Sequence, residues 1–327
     1  MTLFGKFIAY FLLVLFGLAM VIPFVWMMTT AVRSQIEFNK GNVGFIPIDN
    51  FTLYVDGDQE TIISIVQTVG DSSYVHFFNE LGEIERAYAK IPNDKIEERR
   101  EFRIHWSNFI NAWNRVPFAR YFFNTILVAL CTVFGILITS SLAAYAFARM
   151  RFKGNNLLFS FFISMMMVPQ PIYLIPSYVL LNYLGWIDTY YALIVPWLAH
   201  IFTIFLLRQH FKAIPQELFD AAEIDGCSRF GILWRIVLPI SKPILVTSSI
   251  FAFITSWNSF MWPLVMINSE ELRVLQVGLS YFSQESSTLT TLLMAASTFS
   301  IMPLVILFLI AQRQIIGSYA TAGLKEG

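Results

Sequence analysis

The chain has 327 residues, of which 56% are hydrophobic and 13% charged, with 22 basic and 22 acidic side chains. Soluble domains carry about a quarter charged residues, so this composition places the chain among membrane proteins, in keeping with a mean hydropathy of +0.61. A formal net charge of zero gives no reason to expect nucleic acid as a partner.

Six windows lack Asp, Glu, Lys and Arg: 7–32, 121–148, 154–187, 189–207, 243–269 and 286–312. Each is near or above the ~20 residues with which a helix crosses a bilayer. Backbone groups in lipid must pair internally, so α-helices are expected. The expected fold is an all-α membrane protein with six transmembrane helices. Only Lys6 precedes the first window, which exceeds the ~7–15 apolar residues of a signal-peptide core. That predicts an uncleaved first span over 1–33.

Residues 34–119 differ in kind. They hold 13 acidic and 8 basic side chains, a net of −5. The stretch from Phe51 to Gln67 reads as two β-rich runs around Asp56-Gly57, a hairpin signal. Residues 79–103 are charged and helix-prone, interrupted at Pro92. Together they predict a small α+β insert on a short tether at each end. Below about 80 residues a core is thin, so the insert should lean on a neighbour. It is either a passive cap on the membrane domain or a docking surface for an external partner.

The core follows over 120–316. Its 154–187 window is too long for one simple span, and Pro169, Pro171 and Pro176 break it. The expectation is a helix to about Met167, then an irregular, re-entrant or outward-facing stretch. These prolines are tolerated kinks or they shape a path, which Gln170 and Tyr173 would line. His200 has no acidic partner in any window, so it reads as a packing or cavity histidine rather than a proton relay. Trp257, Asn258 and Trp262 lie in the next window. A buried Asn in lipid commonly bonds a neighbouring helix. Sugars also suit aromatic faces beside amides, and both readings stay open. Cys131 and Cys227 lack neighbours at metal-ligand spacing and fall in different environments, so neither a disulfide nor a metal is expected. No G-x-x-x-x-G-K-[ST] phosphate loop is present, nor G-x-S-x-G, H-E-x-x-H or C-x-x-C. The chain is therefore not expected to be an enzyme or to need a cofactor.

Orientation follows from Lys and Arg in short loops. Lys6, Arg149, Arg151, Lys153, Arg208, Lys212, Arg229, Arg235, Lys242, Arg313 and Lys325 fall on one side. The other side has Arg273, with Arg33 and Arg120 at the edges of the long segment. The first side is read as cytoplasmic, with both termini there and 34–119 outside.

One polar stretch on the cytoplasmic side has its own logic. Pro215 suits a helix's first turn, and Glu217 and Asp220 put negative charge where the helix dipole favours it. Ala221 and Ala222 form helix well and are small enough to let another surface approach. Asp225 precedes Gly226, which takes a positive φ and ends the helix. Pro239 sets the turn before the next span. The prediction is a short helix within 215–230, offering a carboxylate to a partner's arginine or lysine. An ordinary amphipathic connector would share this composition but not the spacing.

The run Asp220-Ala-Ala-Glu-Ile-Asp-Gly226, then Ile236-Val-Leu-Pro239, fits E-A-A-x3-G-x9-I-x-L-P with Asp220 in place of the glutamate. It resembles the EAA loop of bacterial ABC importer permeases. Trp257-Asn-Ser-Phe260 with Trp262-Pro-Leu264 resembles the W-N-x-F-x-W-P-L run of the sugar-importing branch, and Leu275-Gln-Val-Gly-Leu279 its V-G-L segment. The ending from Ala311-Gln-Arg313 to Gly327 is similar to the branch's tail, with Glu326 interposed. The resemblance covers the first span and about 106–327, not the insert.

It implies a maltose-type permease subunit in a bacterial or archaeal cytoplasmic membrane. Its partners would be membrane lipid, a homologous second permease, two ATP-binding subunits, an extracytoplasmic solute-binding protein and a sugar substrate. Glu217, Asp220, Ala221, Ala222, Asp225, Gly226 and Pro239 would couple to the ATPases, and the tail over 317–327 would reach them. An external loop with Ser280, Tyr281, Phe282, Ser283 and Gln284 would enter the binding protein's cleft. An oligosaccharide is the first expectation for cargo and a glycerol phosphate or polyol the second. An ion-coupled secondary transporter, the rival class, would want ionisable groups inside the spans.

Overall fold

The computed structural model describes residues 3–41, 44–56, 59–78, 84–284 and 289–323. The chain divides into two compact units, Met1–Pro117 with Leu279–Ile301, and Phe118–Gly278 with Met302–Gly327.

The first unit opens with the Leu3–Ala31 helix. Its side chains are apolar and exposed on every face up to Phe24 except for a few, the pattern of a helix bathed in lipid. Beyond it stands an antiparallel sheet of five strands: β1 (Ile48–Asp56), β2 (Gln59–Val69), β3 (Ser72–Phe78), β4 (Ile84–Pro92) and β5 (Ile96–Phe102). The spatial order is β4-β3-β2-β1-β5. β1 and β2 pair antiparallel, with Asp56 opposite Gln59; Gly57 lies outside the described residues. Ile63, Val75 and Ile91, one from each of β2, β3 and β4, form the buried centre of the sheet.

The helix expected over 79–103 is absent from the described part of that stretch. Residues 84–102 are β4, a single 3₁₀ turn at Asn93–Lys95, and β5. Among the described residues, the stretch 44–103 thus forms a β-sheet without the expected α-helix, and the α-helices of 34–119 lie at its edges, Gln35–Asn39 and Ser107–Arg115. Glu, Arg, Lys and Ala favour helix when only local sequence competes. Here partners distant in sequence win. Ile91 fills the sheet core. Arg99 on β5 donates to both carboxylate oxygens of Glu60 at 3.1 and 3.0 Å, and Lys95 reaches Asp56 at 2.6 Å. Such cross-strand terms decide strand formation.

The ends of the insert are bonded to its neighbours. Asn108 donates from Nδ2 to the carbonyls of Ala31 and Arg33 at 2.9 and 2.8 Å. The His105 amide donates to the Val32 carbonyl at 2.8 Å, and His105 Nε2 lies 2.5 Å from the buried Asp49 carboxylate. Gln35 Oε1 accepts from the amide and hydroxyl of Thr291 at 3.0 and 2.9 Å. It thereby satisfies donors that open the Thr290–Gly323 helix and have no partner inside it.

Among the described residues, four helices are long and apolar enough to cross a membrane: Phe4–Ala31, Phe118–Arg149, Tyr190–Ala213 and Thr290–Gln312. Two bent pairs meet the same test when each is taken together. Asn155–Met165 and Gln170–Tyr183 meet at 101°, and Arg229–Ile240 and Lys242–Trp257 at 82°. The stretch after Met167, expected to be irregular, re-entrant or outward-facing, is thus a second helix turned sharply from the first. Pro169 caps it and Pro171 sits in its first turn, where a missing N–H costs nothing.

Two other windows are broken as well. His200 adopts an extended conformation before the Ile201–Ala213 helix. Helix Lys242–Trp257 stops at Asn258, and Met261–Met266 resumes after it. The core of this second unit is built where Ala144, Phe147, Phe159, Leu207, Phe211 and Leu233 pack together.

Candidate functional site

The breaks surround a cavity of about 380 Å³ in the second unit. Thr125, Val128, Thr132 and Ile136 of the Phe118–Arg149 helix form one wall. Trp197, His200, Asn258 and Trp262 come from the broken segments. Irregular backbone at membrane depth is tolerated where it lines a cavity and finds partners. Here Thr139 Oγ1 donates to the Leu198 carbonyl. Trp262 Nε1 donates to the Ala192 carbonyl at 2.9 Å and stands edge-on to Trp197, ring centres 5.0 Å apart.

Of the five residues expected to line a substrate path, Gln170, Asn258 and Trp262 line this cavity. Trp257 is fully buried, stacked on Phe253 and edge-on to Phe122, so it is core. Tyr173 is half-buried and outside the lining. Asn258 bonds back to the Ile254 carbonyl of its own helix at 3.0 Å rather than across to another helix. His200 is a cavity histidine, with Nδ1 at 2.8 Å from Thr203 Oγ1.

Residue-by-residue reading passed over Thr132, Thr255, Ser256 and Ser259, which also line the cavity. The available signal was the pair Thr125 and Thr132, seven apart and so on one helix face. The Thr125 hydroxyl is used internally, donating to the Tyr121 carbonyl and accepting from the Leu275 amide. The Thr132 hydroxyl is buried with no hydrogen-bond partner among the described residues. Among the described residues no Asp, Glu, Lys or Arg lines the cavity.

The second candidate is the surface helix Gln216–Ile224, preceded by Pro215 and capped by Asp225. Gly226 follows at φ +75°. The Cys227 amide bonds the Ala222 carbonyl at 2.9 Å and the Gly226 amide bonds Glu223 at 3.0 Å, the Schellman arrangement that a left-handed glycine permits. Helical spacing divides the side chains. Phe219 and Ala222 are each only 4% exposed, so Ala222 packs inward and is not available to another surface. Glu217, Leu218, Asp220, Ala221 and Ile224 face outward. Asp220 accepts from Gln216 Nε2 at 2.8 Å. The exposed Pro239 lies in the short Leu238–Ile240 helix, just before the 82° bend.

The expected external loop is largely helix. Ser280 to Gln284 end the helix Leu275–Gln284, and Phe282 is buried. Leu275 and Phe282, seven apart, bury on one face and favour continued helix over loop. The rest of that loop, 285–288, lies outside the described residues, as do tail residues 324–327.

Comparison with known proteins agrees with this geometry. The chain is 38% identical over 223 residues to the probable ABC transporter permease protein YurM of Bacillus subtilis, covering 68% of this chain and 74% of that one. It is 34% identical over 206 residues to the arabinooligosaccharides transport system permease protein AraQ of the same organism, covering 63% and 73%. Its fold matches a chain of a bacterial ABC transporter involved in the import of the acidic polysaccharide alginate. That match has a TM-score of 0.66 at 20% identity, over 95% of this chain and 96% of that one. The model of the binding-protein-dependent transport system inner membrane component family matches residues 132–316, more than half of the chain, including the surface helix and all of the cavity lining except Thr125 and Val128. The chain belongs to that family, as a permease subunit with the fold of type I ABC importers.

Proposed function

We propose that this permease carries a neutral oligosaccharide. In this reading it acts beside a homologous second permease, two ATP-binding subunits and an extracytoplasmic solute-binding protein. The observation that carries the cargo reading is the chemistry of the cavity wall, where hydroxyls, amides and indoles line about 380 Å³ with no charged side chain among the described residues. A phosphate or carboxylate is ordinarily met by Arg or Lys, which disfavours glycerol phosphate. An ion-coupled carrier would place ionisable groups in its spans, and among the described residues the wall offers only His200. A relative named for arabinooligosaccharides supports the sugar class.

Each bent pair counts as one span in this reading, giving six, with both termini cytoplasmic and the sheet outside. Glu217, Asp220, Ala221, Asp225 and Gly226 form the contact with the ATPases, with the tail 317–327 nearby. The acidic sheet docks the binding protein or the second permease.

The complex is to be reconstituted in vesicles with its ATPases and binding protein. Uptake of a neutral oligosaccharide should require ATP, resist a protonophore, and exceed that of glycerol phosphate. Thr132→Val should lower it, because an unpartnered buried hydroxyl is removed from the wall. Preferred uptake of the phosphate ester would overturn the cargo reading.

A further inference from the structure

We propose that Arg149 is the positioning residue through which movement of the Gln216–Ile224 helix reaches the cavity. The proposal rests on reading that helix as the ATPase contact. Arg149 is the last residue of the Phe118–Arg149 helix, and the same helix carries Thr125, Val128, Thr132 and Ile136 of the cavity wall.

Its guanidinium joins three chain ends. Nε and an outer nitrogen donate to the Phe211 carbonyl at 3.0 and 2.6 Å. That outer nitrogen also donates to the Ile214 carbonyl. These carbonyls close the Ile201–Ala213 helix, where a cation is favoured by the dipole and by unpaired acceptors. The other outer nitrogen donates to Gln216 Oε1 at 3.0 Å. Gln216 in turn donates to Asp220 at 2.8 Å, so the motif's carboxylate is two hydrogen bonds from Arg149. Finally, the guanidinium lies over the Phe219 ring, 4.0 Å from its centre, and Phe219 is the buried anchor of the surface helix.

A push on Asp220 or on the exposed face therefore meets a planar group held on both sides. Arginine is required by this geometry. Lysine keeps the charge but has neither the fork that bonds several acceptors nor a flat face for the ring. Displacement of Gln216 and Phe219 would pull the guanidinium, and with it the end of a continuous 32-residue helix whose other part faces the cavity.

The test uses the complete reconstituted complex and reads sugar transported per ATP hydrolysed. Arg149→Lys should lower that ratio by about tenfold, the factor that loss of one charge-assisted hydrogen bond carries. Assembly with the ATPases should be unchanged. A merely structural role would depress assembly, hydrolysis and transport together and leave the ratio alone. An unchanged ratio, with activities intact or falling in parallel, would overturn the proposal. If Arg149→Lys does not accumulate, Phe219→Leu, which removes the ring face and keeps apolar bulk, decides by the same ratio.

Asp220→Lys and Ile224→Asp are measured alongside. If both assemble and couple as wild type, the reading of the surface helix fails and takes this proposal with it. If they are impaired while Arg149→Lys keeps the wild-type ratio, only the role of Arg149 is lost.

Discussion

Gly226 and Gly278 show two different demands on one residue type. At Gly226 an added Cβ would meet nothing within 4 Å, but φ is +75°. The whole cost of Gly226→Ala is then backbone strain, about 1–2 kcal/mol, at the end of the surface helix. Protein should accumulate normally while uptake in vesicles falls. At Gly278 an added Cβ would lie 2.4 Å from Tyr121 Cδ2. That ring is 1% exposed and tethered through its hydroxyl to Glu270 at 3.2 Å. Gly278→Ala should cost about 1–3 kcal/mol by overpacking. Thermal unfolding in detergent should show it, and the loss should be less than additive with Tyr121→Leu.

Asp188 makes a third residue-scale prediction. It sits at φ +60°, and its Oδ1 accepts from the amides of Asn268 and Ser269 and the Ser269 hydroxyl at 3.0, 2.9 and 2.9 Å. The Ser269 amide, foremost among these donors, holds the carboxyl below its usual range. A depressed folded pKa contributes stability above the unfolded value of about 3.9, and that stability is lost as pH falls through the folded value. Melting temperature should therefore drop below about pH 4 in the wild type. Asp188→Asn tolerates the left-handed backbone but carries no charge, so it should flatten that limb. An identical acid limb in the variant would exclude Asp188 as its source.

At the scale of elements, breaks carry the site and long-range pairing carries the insert. The Ile201–Ala213 helix begins only after the extended His200, and that interruption admits the cavity. In the sheet, three buried side chains from adjacent strands make a small core. Ile63→Ala should cost about 2–5 kcal/mol, a large share of what so few buried residues can supply. Limited proteolysis of the whole chain in detergent should then cut within 59–102 faster, with fragments of the second unit unchanged. Cleavage at the wild-type rate would mean the sheet is held mainly by its bonded ends at His105 and Asn108.

At the scale of the molecule, the net charge of −5 on residues 34–119 bears on partner choice. Rim charges mostly tune encounter rate and salt dependence, and screening acts over about 10 Å at 0.1 M salt. With 43–103 deleted and its ends rejoined, the reconstituted complex should need more binding protein for half-maximal ATPase stimulation. Its response to salt should also weaken. An unchanged titration would return the sheet to the role of a passive cap.

Composition and windows without charge sufficed for a helical membrane protein, because the cost of unpaired backbone in lipid applies to any sequence. The spacing from Asp220 to Pro239 sufficed for the surface helix and its glycine end, since caps and the first turn are local chemistry. Three things belong to the tertiary structure. Residues 84–102 became strands because Glu60, Asp56 and the sheet core lie far away in the chain. Ala222 turned inward and Trp257 became core because burial depends on which face meets a neighbour. The cavity exists because three interrupted segments converge on one helix, and Arg149 joins chain ends 62 and 67 residues away, contacts that no local pattern encodes.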